Sequence, residues 1–224
     1  MKNLAVSPII SLGLWISLTI QLALKRVFDF GVCLILAIIL LPVFVFIAIA
    51  IKLDSSGPII FRQIRIGQYH RRFECYKFRS MYINNDEILH ERLIEQLMTM
   101  NKEEKEACIQ KYKDQNELRI TRVGKVLRKL KLDELPQIFN VLEGDMSLVG
   151  PRPAIDYELK YHDQNMLRRF NVKSGITGFW QAHSGRSIDY RDMVEMDLFY
   201  VENWSLLMDF KIILKTIPAL FKNG

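Results

Sequence analysis

Cysteine is scarce in this 224-residue chain. Cys33, Cys75 and Cys108 form an odd set with no paired spacing. That excludes a secreted disulfide scaffold and points to a reducing compartment. Histidine is nearly as sparse, and His70, His90, His162 and His183 share no ligand spacing, so no zinc motif is present. No Gly-Lys-Ser/Thr phosphate loop and no Gly-x-Gly-x-x-Gly fingerprint occurs, which removes the commonest nucleotide-site architectures. Low-complexity tracts and internal repeats are missing too, and with 50% hydrophobic residues the chain is not disordered.

What the chain does have is an uneven distribution of apolar and basic residues. Val27 to Ile51 is a 25-residue run whose only charged member is Asp29. A straight helix of that length would extend about 37 Å, enough for a bilayer core of about 30 Å. Pro42 interrupts it, however, and proline removes a helical hydrogen bond. Lys25 and Arg26 precede the run and Lys52, Arg62 and Arg65 follow it, so cations stand at both ends. Cations at both flanks place both ends on the cytoplasmic side. The expectation is therefore a re-entrant helix-break-helix, with an ordinary kinked crossing as the alternative. Leu4 to Leu24 is a second apolar stretch without a small-residue cleavage site, which suggests an uncleaved spanning or interfacial helix. The organisation expected is a hydrophobic segment at 1–24, a re-entrant membrane helix at 25–53 and a cytoplasmic domain at 54–224.

Beyond Lys52, Asp54 to Pro58 is turn chemistry. Ile59 to Phe61 and Phe73 to Phe78 read as short strands joined by a basic turn around Gly67. Asp86 to about Asp114 has helical periodicity. From Arg122 a short helix carries Arg122, Lys125 and Lys129 on one face and Val123, Val126, Leu127 and Leu130 towards another. Asp133 is expected to cap the next helix, with Pro136 in its first turn and Gly144 as its stop. Ser147 to Pro153 reads as an ordered loop because of its two prolines. Val201 to Phe221 suggests a terminal amphipathic helix that packs on the core or lies on a membrane surface.

The +6 net charge is concentrated in two blocks. Arg62 to Arg79 holds six basic residues and one acid, and Arg119 to Lys131 holds six and none, whereas Asp86 to Glu117 has nine acids against five bases. Solvated helix faces explain such blocks as readily as an anionic partner does. The best candidate for chemistry is Asp133-Glu134. Capping alone accounts for many such pairs, but Arg128, Lys129 and Lys131 arrive just before this one. A carboxylate nucleophile beside a basic, phosphate-holding site suits phosphoryl transfer through an acyl-phosphate, and its neighbour suits Mg²⁺. Arg79 after a strand and Arg152 between two prolines are rigidly presented cations matched to phosphate oxygens.

At these residues the chain resembles the bacterial sugar transferases, the monotopic phosphoglycosyl transferases. The resemblance rests on the run from Asp133-Glu134-Leu135-Pro136 to Gly150-Pro151-Arg152-Pro153, and on Lys77-Phe78-Arg79-Ser80-Met81. Phe61-Arg62-Gln63, Arg119 to Gly124, Gly175 to Gln181, Ser184-Gly185-Arg186 and Asp197 to Ser205 extend it, so that it covers roughly Lys25 to the end. It implies a mainly helical α+β fold: a re-entrant membrane helix, a small cytoplasmic catalytic domain and amphipathic interface helices, on the cytoplasmic face of a bacterial inner membrane. It implies transfer of a sugar-1-phosphate from a UDP-sugar to polyprenyl (undecaprenyl) phosphate, releasing UMP through an aspartyl-phosphosugar intermediate, as the first step of surface polysaccharide assembly. Asp133 would be the nucleophile and Glu134 the Mg²⁺ ligand. Lys77, Arg79, Arg128 and Arg152 would bind phosphate or nucleotide, with Asp197 a further acid near the site. The implied partners are the UDP-sugar, polyprenyl phosphate and the lipid bilayer, with room for a homo-oligomer and no call for nucleic acid. Two departures stand out: Gln181 to Ser184 is one residue longer than the family pattern, and Leu41 precedes Pro42 where some relatives carry Ser. The rival reading from another class is a non-catalytic, membrane-anchored basic module that binds anionic lipid or nucleic acid.

Overall fold

A computed structural model of the chain describes residues 8–82, 117, 119–183 and 190–222. Two helices open it, α1 (Pro8–Ile39) and α2 (Leu41–Asp54), and Leu40 is the break between them. Pro42 lies in the first turn of α2, where its missing N–H leaves no bond unmade. Backbone bonds from Leu40 N to Leu36 O (2.8 Å) and from Phe44 N to Leu40 O (2.9 Å) carry the chain round the corner. The axes of Thr19–Ile39 and Leu41–Asp54 diverge by 61°. Among the described residues no single helix is long and apolar enough to cross a membrane, but this bent pair passes that test when taken together. α1 continues without interruption through residues 24 and 25.

Among the described residues the pair packs on the rest of the chain along one side. Cys33, with Leu36, Ala37 and Leu40 beside it, joins Phe73, Cys75, Ile138, Val141 and Met146 in one core cluster. Ile47 and Ile51 join Phe78 and Leu127 in another. Elsewhere on the pair Val27, Ile38, Phe46 and Leu53 are exposed. Polar ties fix the contact. Lys25 bonds the Asp209 carboxylate (2.5 Å) and Val149 O (3.2 Å), and Asp29, which is buried, accepts from Ser147 Oγ at 2.6 Å. Arg26 donates to Val141 O (2.5 Å) and Leu142 O (3.0 Å), capping carbonyls at the end of a helix described below.

β1 (Ile60–Ile66) and β2 (Arg72–Phe78) form an antiparallel hairpin paired from Ile60–Phe78 to Ile66–Arg72; the first strand, expected over Ile59 to Phe61, runs on to Ile66. The stretch expected to be helical from Asp86 to Asp114 lies outside the described residues, as do residues 1–7 of the first apolar segment. α3 (Arg122–Lys129) is capped by Thr121, whose Oγ1 accepts from Gly124 N, and docks on the end of α2 through Val123 N to Asp54 (2.9 Å). Its apolar side is divided, with Leu127 buried and Val126 and Leu130 exposed.

Three expectations are corrected here. The helix predicted to open at Asp133 is α4 (Gln137–Glu143), which starts four residues later. Pro136 has no N–H for a bond back to Leu132, so the chain first closes a 3₁₀ turn over Leu132–Glu134, sealed by Leu135 N to Leu132 O at 3.2 Å. The stop at Gly144 is as expected, with a left-handed φ of 97°. The loop read over Ser147 to Pro153 yields its first part to β3 (Met146–Val149), which pairs in parallel with β4 (Ser174–Thr177). Gly150 to Pro153 lie outside the strand, so the exclusion of regular structure begins at Gly150. The terminal helix expected from Val201 starts instead at Leu206, as α7 (Leu206–Lys222), while Val201 and Glu202 end α6 (Tyr190–Glu202), which follows the short α5 (Phe179–His183). Ser205 divides α6 from α7 by accepting from Met208 N through its hydroxyl.

The described fold is thus mainly helical α+β, with two small sheets. Gly150 and Gly175 let the ends of the parallel pair approach closely: a Cβ on Gly175 would lie 2.1 Å from Gly150 N and 2.3 Å from Thr177 O. These are backbone atoms that cannot swing aside. Gly175→Ala is expected to destabilise by at least the about 1–3 kcal/mol typical of overpacking, read as a lower melting temperature.

Candidate active site

The Asp133–Glu134 pair sits on the 3₁₀ turn between α3 and α4, and the turn is tightly held at both sides. Lys131 before it adopts a left-handed φ of 55°, which is uncommon for a residue with a side chain and reverses the chain sharply out of α3. Behind it, Asn140 of α4 is fully buried and mimics a strand neighbour to β2. Its Oδ1 accepts from Tyr76 N (2.9 Å) and its Nδ2 donates to Glu74 O (2.6 Å). The amide therefore locks α4, and the turn ahead of it, against the strand that carries Lys77.

Lys77 reaches across that junction to Glu134, Nζ to Oε1 at 2.6 Å. Burial works to raise the Glu134 carboxyl, but Lys77's charge and hydrogen bond outweigh it, with Arg152 and Arg65 adding, so its pKa lies below the usual range. Asp133 moves the other way. Burial and then the negative charge of Glu134 push its carboxyl up, against the pull of Lys77 and Arg128. The two neighbours are thus driven apart: Glu134 is a firmly ionised acceptor and Asp133 a more basic carboxylate. Such divergence separates roles in a catalytic pair.

Of the sequence-predicted residues, Lys77, Asp133, Glu134, Arg128 and Arg152 share one electrostatic neighbourhood. Two lie elsewhere. Arg79 is buried and caps α2, donating from Nη2 to Ile51 O (3.3 Å), Ser55 O (2.7 Å) and Ser55 Oγ (3.0 Å). Asp197 on α6 is fully buried in an ion pair with Arg169 (2.5 Å). Burial pushes its carboxyl up to about 6, against Arg169 and Arg152.

Sequence reading missed Arg65, Asn140, Glu158 and Arg169. Arg65, on β1, is buried and donates to Pro153 O (3.1 Å) and Gln63 Oε1 (2.6 Å). Burial and then the charge of Arg152 lower its pKa to about 10. The available signals were an Arg alternating with apolar residues in a strand, and an Asn inside the run Ile138 to Leu142. His183 lies at the exposed end of α5, stacked on Phe179 with ring centroids 4.1 Å apart. Residues 184–189 lie outside the described ones.

The donor set suits Mg²⁺. Among the described residues no three His, Cys, Asp or Glu side chains converge as a cage. Mg²⁺ ordinarily takes one or two carboxylates together with substrate phosphates, and adjacent carboxylates with the Glu134 side chain 42% exposed match that habit.

The family model described as bacterial sugar transferase matches residues 20–223. An undecaprenyl-phosphate galactose phosphotransferase of Salmonella typhimurium is 40% identical over 199 residues, covering 89% of this chain and 40% of the relative. The exopolysaccharide production protein ExoY of Sinorhizobium fredii is 39% identical over 196 residues, covering 88% of this chain and 84% of the relative. A UDP-glucose:undecaprenyl-phosphate glucose-1-phosphate transferase of Klebsiella pneumoniae is 37% identical over 214 residues, covering 91% and 41%. The chain thus spans about 40% of the length of the Salmonella and Klebsiella proteins.

Proposed function

The chain belongs to the bacterial sugar transferase family, and from that premise we propose that it transfers a sugar-1-phosphate from a UDP-sugar to undecaprenyl phosphate. The observation that carries this reading is the Asp133–Glu134 turn with its split carboxylates and surrounding cations. The Asp133 carboxylate oxygen attacks the β-phosphorus, a new P–O bond forms, and the bond to UMP breaks with UMP leaving. A phosphate oxygen of the polyprenyl carrier then attacks the same phosphorus, which releases Asp133 and gives the polyprenyl diphosphate sugar. Lys77 keeps Glu134 ionised and oriented, while Arg128 and Arg152 stand ready for phosphoryl oxygens. Glu134 would hold Mg²⁺, which when bound neutralises diphosphate charge. The relatives' names include both galactose and glucose.

The test is UMP release by the full chain in nanodiscs with Mg²⁺, undecaprenyl phosphate and a panel of UDP-sugars. Carrier-dependent turnover of one donor supports transfer. Folded protein that releases no UMP with any donor, yet binds anionic vesicles, would favour the basic binding module instead.

The α1–α2 pair on this reading enters and leaves the cytoplasmic leaflet of the inner membrane, since its outer side is apolar and basic residues flank it. Replacing Pro42 with Leu restores an N–H in the first turn of α2 and is expected to shift the pair towards a straight crossing. Labelling of cysteines introduced at each flank reads this out. Continued access to both flanks from the cytoplasmic side would show that proline alone does not hold the bend.

A further inference from the structure

Four consecutive carbonyls of the Pro-Arg-Pro loop each accept from a different distant donor. Pro151 O accepts from Gly175 N (2.9 Å), Arg152 O from Arg169 Nη2 (2.8 Å), Pro153 O from Arg65 Nη1 (3.1 Å) and Ala154 O from Ile66 N (2.8 Å). With two residues locked in φ by their rings, the loop backbone has little freedom. Its charged side chain, Arg152, keeps 26% exposure. Behind that guanidinium lies Glu158, whose side chain is 0% exposed. Glu158 accepts from Arg152 Nη1 with both oxygens (3.0 and 3.3 Å), from Ile155 N (3.0 Å) and, more distantly, from the Tyr190 hydroxyl (3.4 Å). A carboxylate this deeply enclosed is stable only with a matched cation, and it fixes that cation in return.

We propose that Glu158 is a positioning residue, gripping Arg152 at Nη1 so that its remaining N–H groups are held on the Glu134 side of the site. On the transfer reading, on which this rests, those groups meet the phosphoryl oxygens of the donor. Glu158 touches no substrate and acts through Arg152 alone. Arg65 and Arg169, by holding the neighbouring carbonyls, fix the backbone from which Arg152 projects.

A double-mutant cycle on the full chain in nanodiscs tests this, using Glu158→Gln and Arg152→Gln, two uncharged substitutions that keep hydrogen-bonding capacity. Glu158→Gln is expected to lower kcat about 10- to 100-fold with the donor KM changed less than about threefold. In the Arg152→Gln background the same change is expected to alter kcat by less than about twofold, because the group it positions is gone. Phenylglyoxal modification of Arg152, followed by mass spectrometry, supplies a readout apart from activity, and its rate should rise severalfold in Glu158→Gln. Equal losses in both backgrounds, or an unchanged modification rate, overturn the proposal. Should Glu158→Gln fail to fold, Glu158→Asp keeps the charge but withdraws the oxygens by one methylene, and the same readouts apply. A wild type without turnover whose Arg152 still becomes more reactive in the variant would sustain the grip of Glu158 and sink the transfer reading.

Discussion

Asp133→Asn is expected to abolish turnover, by on the order of 10³-fold or more, while leaving the fold and membrane association intact. The amide has nearly the shape of the carboxylate but no nucleophilic oxygen of comparable strength. Stability provides a sign check on the same substitution. Burial and Glu134 raise the Asp133 pKa in the folded chain, so the folded state prefers this group protonated. Its contribution to stability is fully present below the unfolded pKa of about 3.9 and lost as pH rises through the folded value. Above that value the ionised carboxyl is unfavourable in the folded chain, and there Asp133→Asn should melt at the same temperature or higher. Turnover in the wild type should fall as pH drops through that raised value, since only the ionised form attacks. Full turnover in Asp133→Asn would reassign the nucleophile.

Arg169→Met is expected to cost about 3–5 kcal/mol, the usual consequence of removing one partner from a buried ion pair. Arg169 and Asp197 have side chains 0% and 1% exposed, so solvent cannot replace the lost cation. The deficit should depend on pH in a particular direction. The Asp197 carboxyl already stands at about 6 with Arg169 present, and losing the cation raises it further. Protonation of Asp197 then neutralises the stranded charge, so chemical unfolding should show a smaller deficit at pH 5 than at pH 7.5. The double variant Arg169→Met/Asp197→Leu, which removes both charges, should recover much of the loss at the higher pH. A deficit independent of pH would mean that packing, rather than the unpaired charge, dominates.

What could be read from the sequence follows the range of the interactions involved. Pro42 and Gly144 act within a turn of themselves, one through a missing N–H and the other through a left-handed φ, and both behave as their chemistry dictates. The strands about Gly67 are equally local. Asp133, Glu134 and Lys77 were recognisable as a pattern, although Lys77 meets Glu134 across 57 residues. The errors arise where distant partners decide. Ser147 to Val149 becomes strand only because Ser174 to Thr177 lies beside it. Arg79 caps α2, and Asp197 pairs with Arg169, which in turn holds the carbonyl of Arg152. Nothing within several residues of Glu158, Arg169 or Asn140 distinguishes a buried, paired polar group from a solvated one.

The ties of Lys25 and Arg26 to Asp209, Val149, Val141 and Leu142 join the apolar hairpin to the helix that follows the dyad and to the strand that leads into the Pro-Arg-Pro loop. Where that hairpin lies in a bilayer, the height of Asp133 above the lipid is consequently a property of the protein and not of the membrane. A thicker or thinner bilayer would be met by tilt of the whole body or by deformation of the surrounding lipid, and not by movement of Asp133 relative to the hairpin.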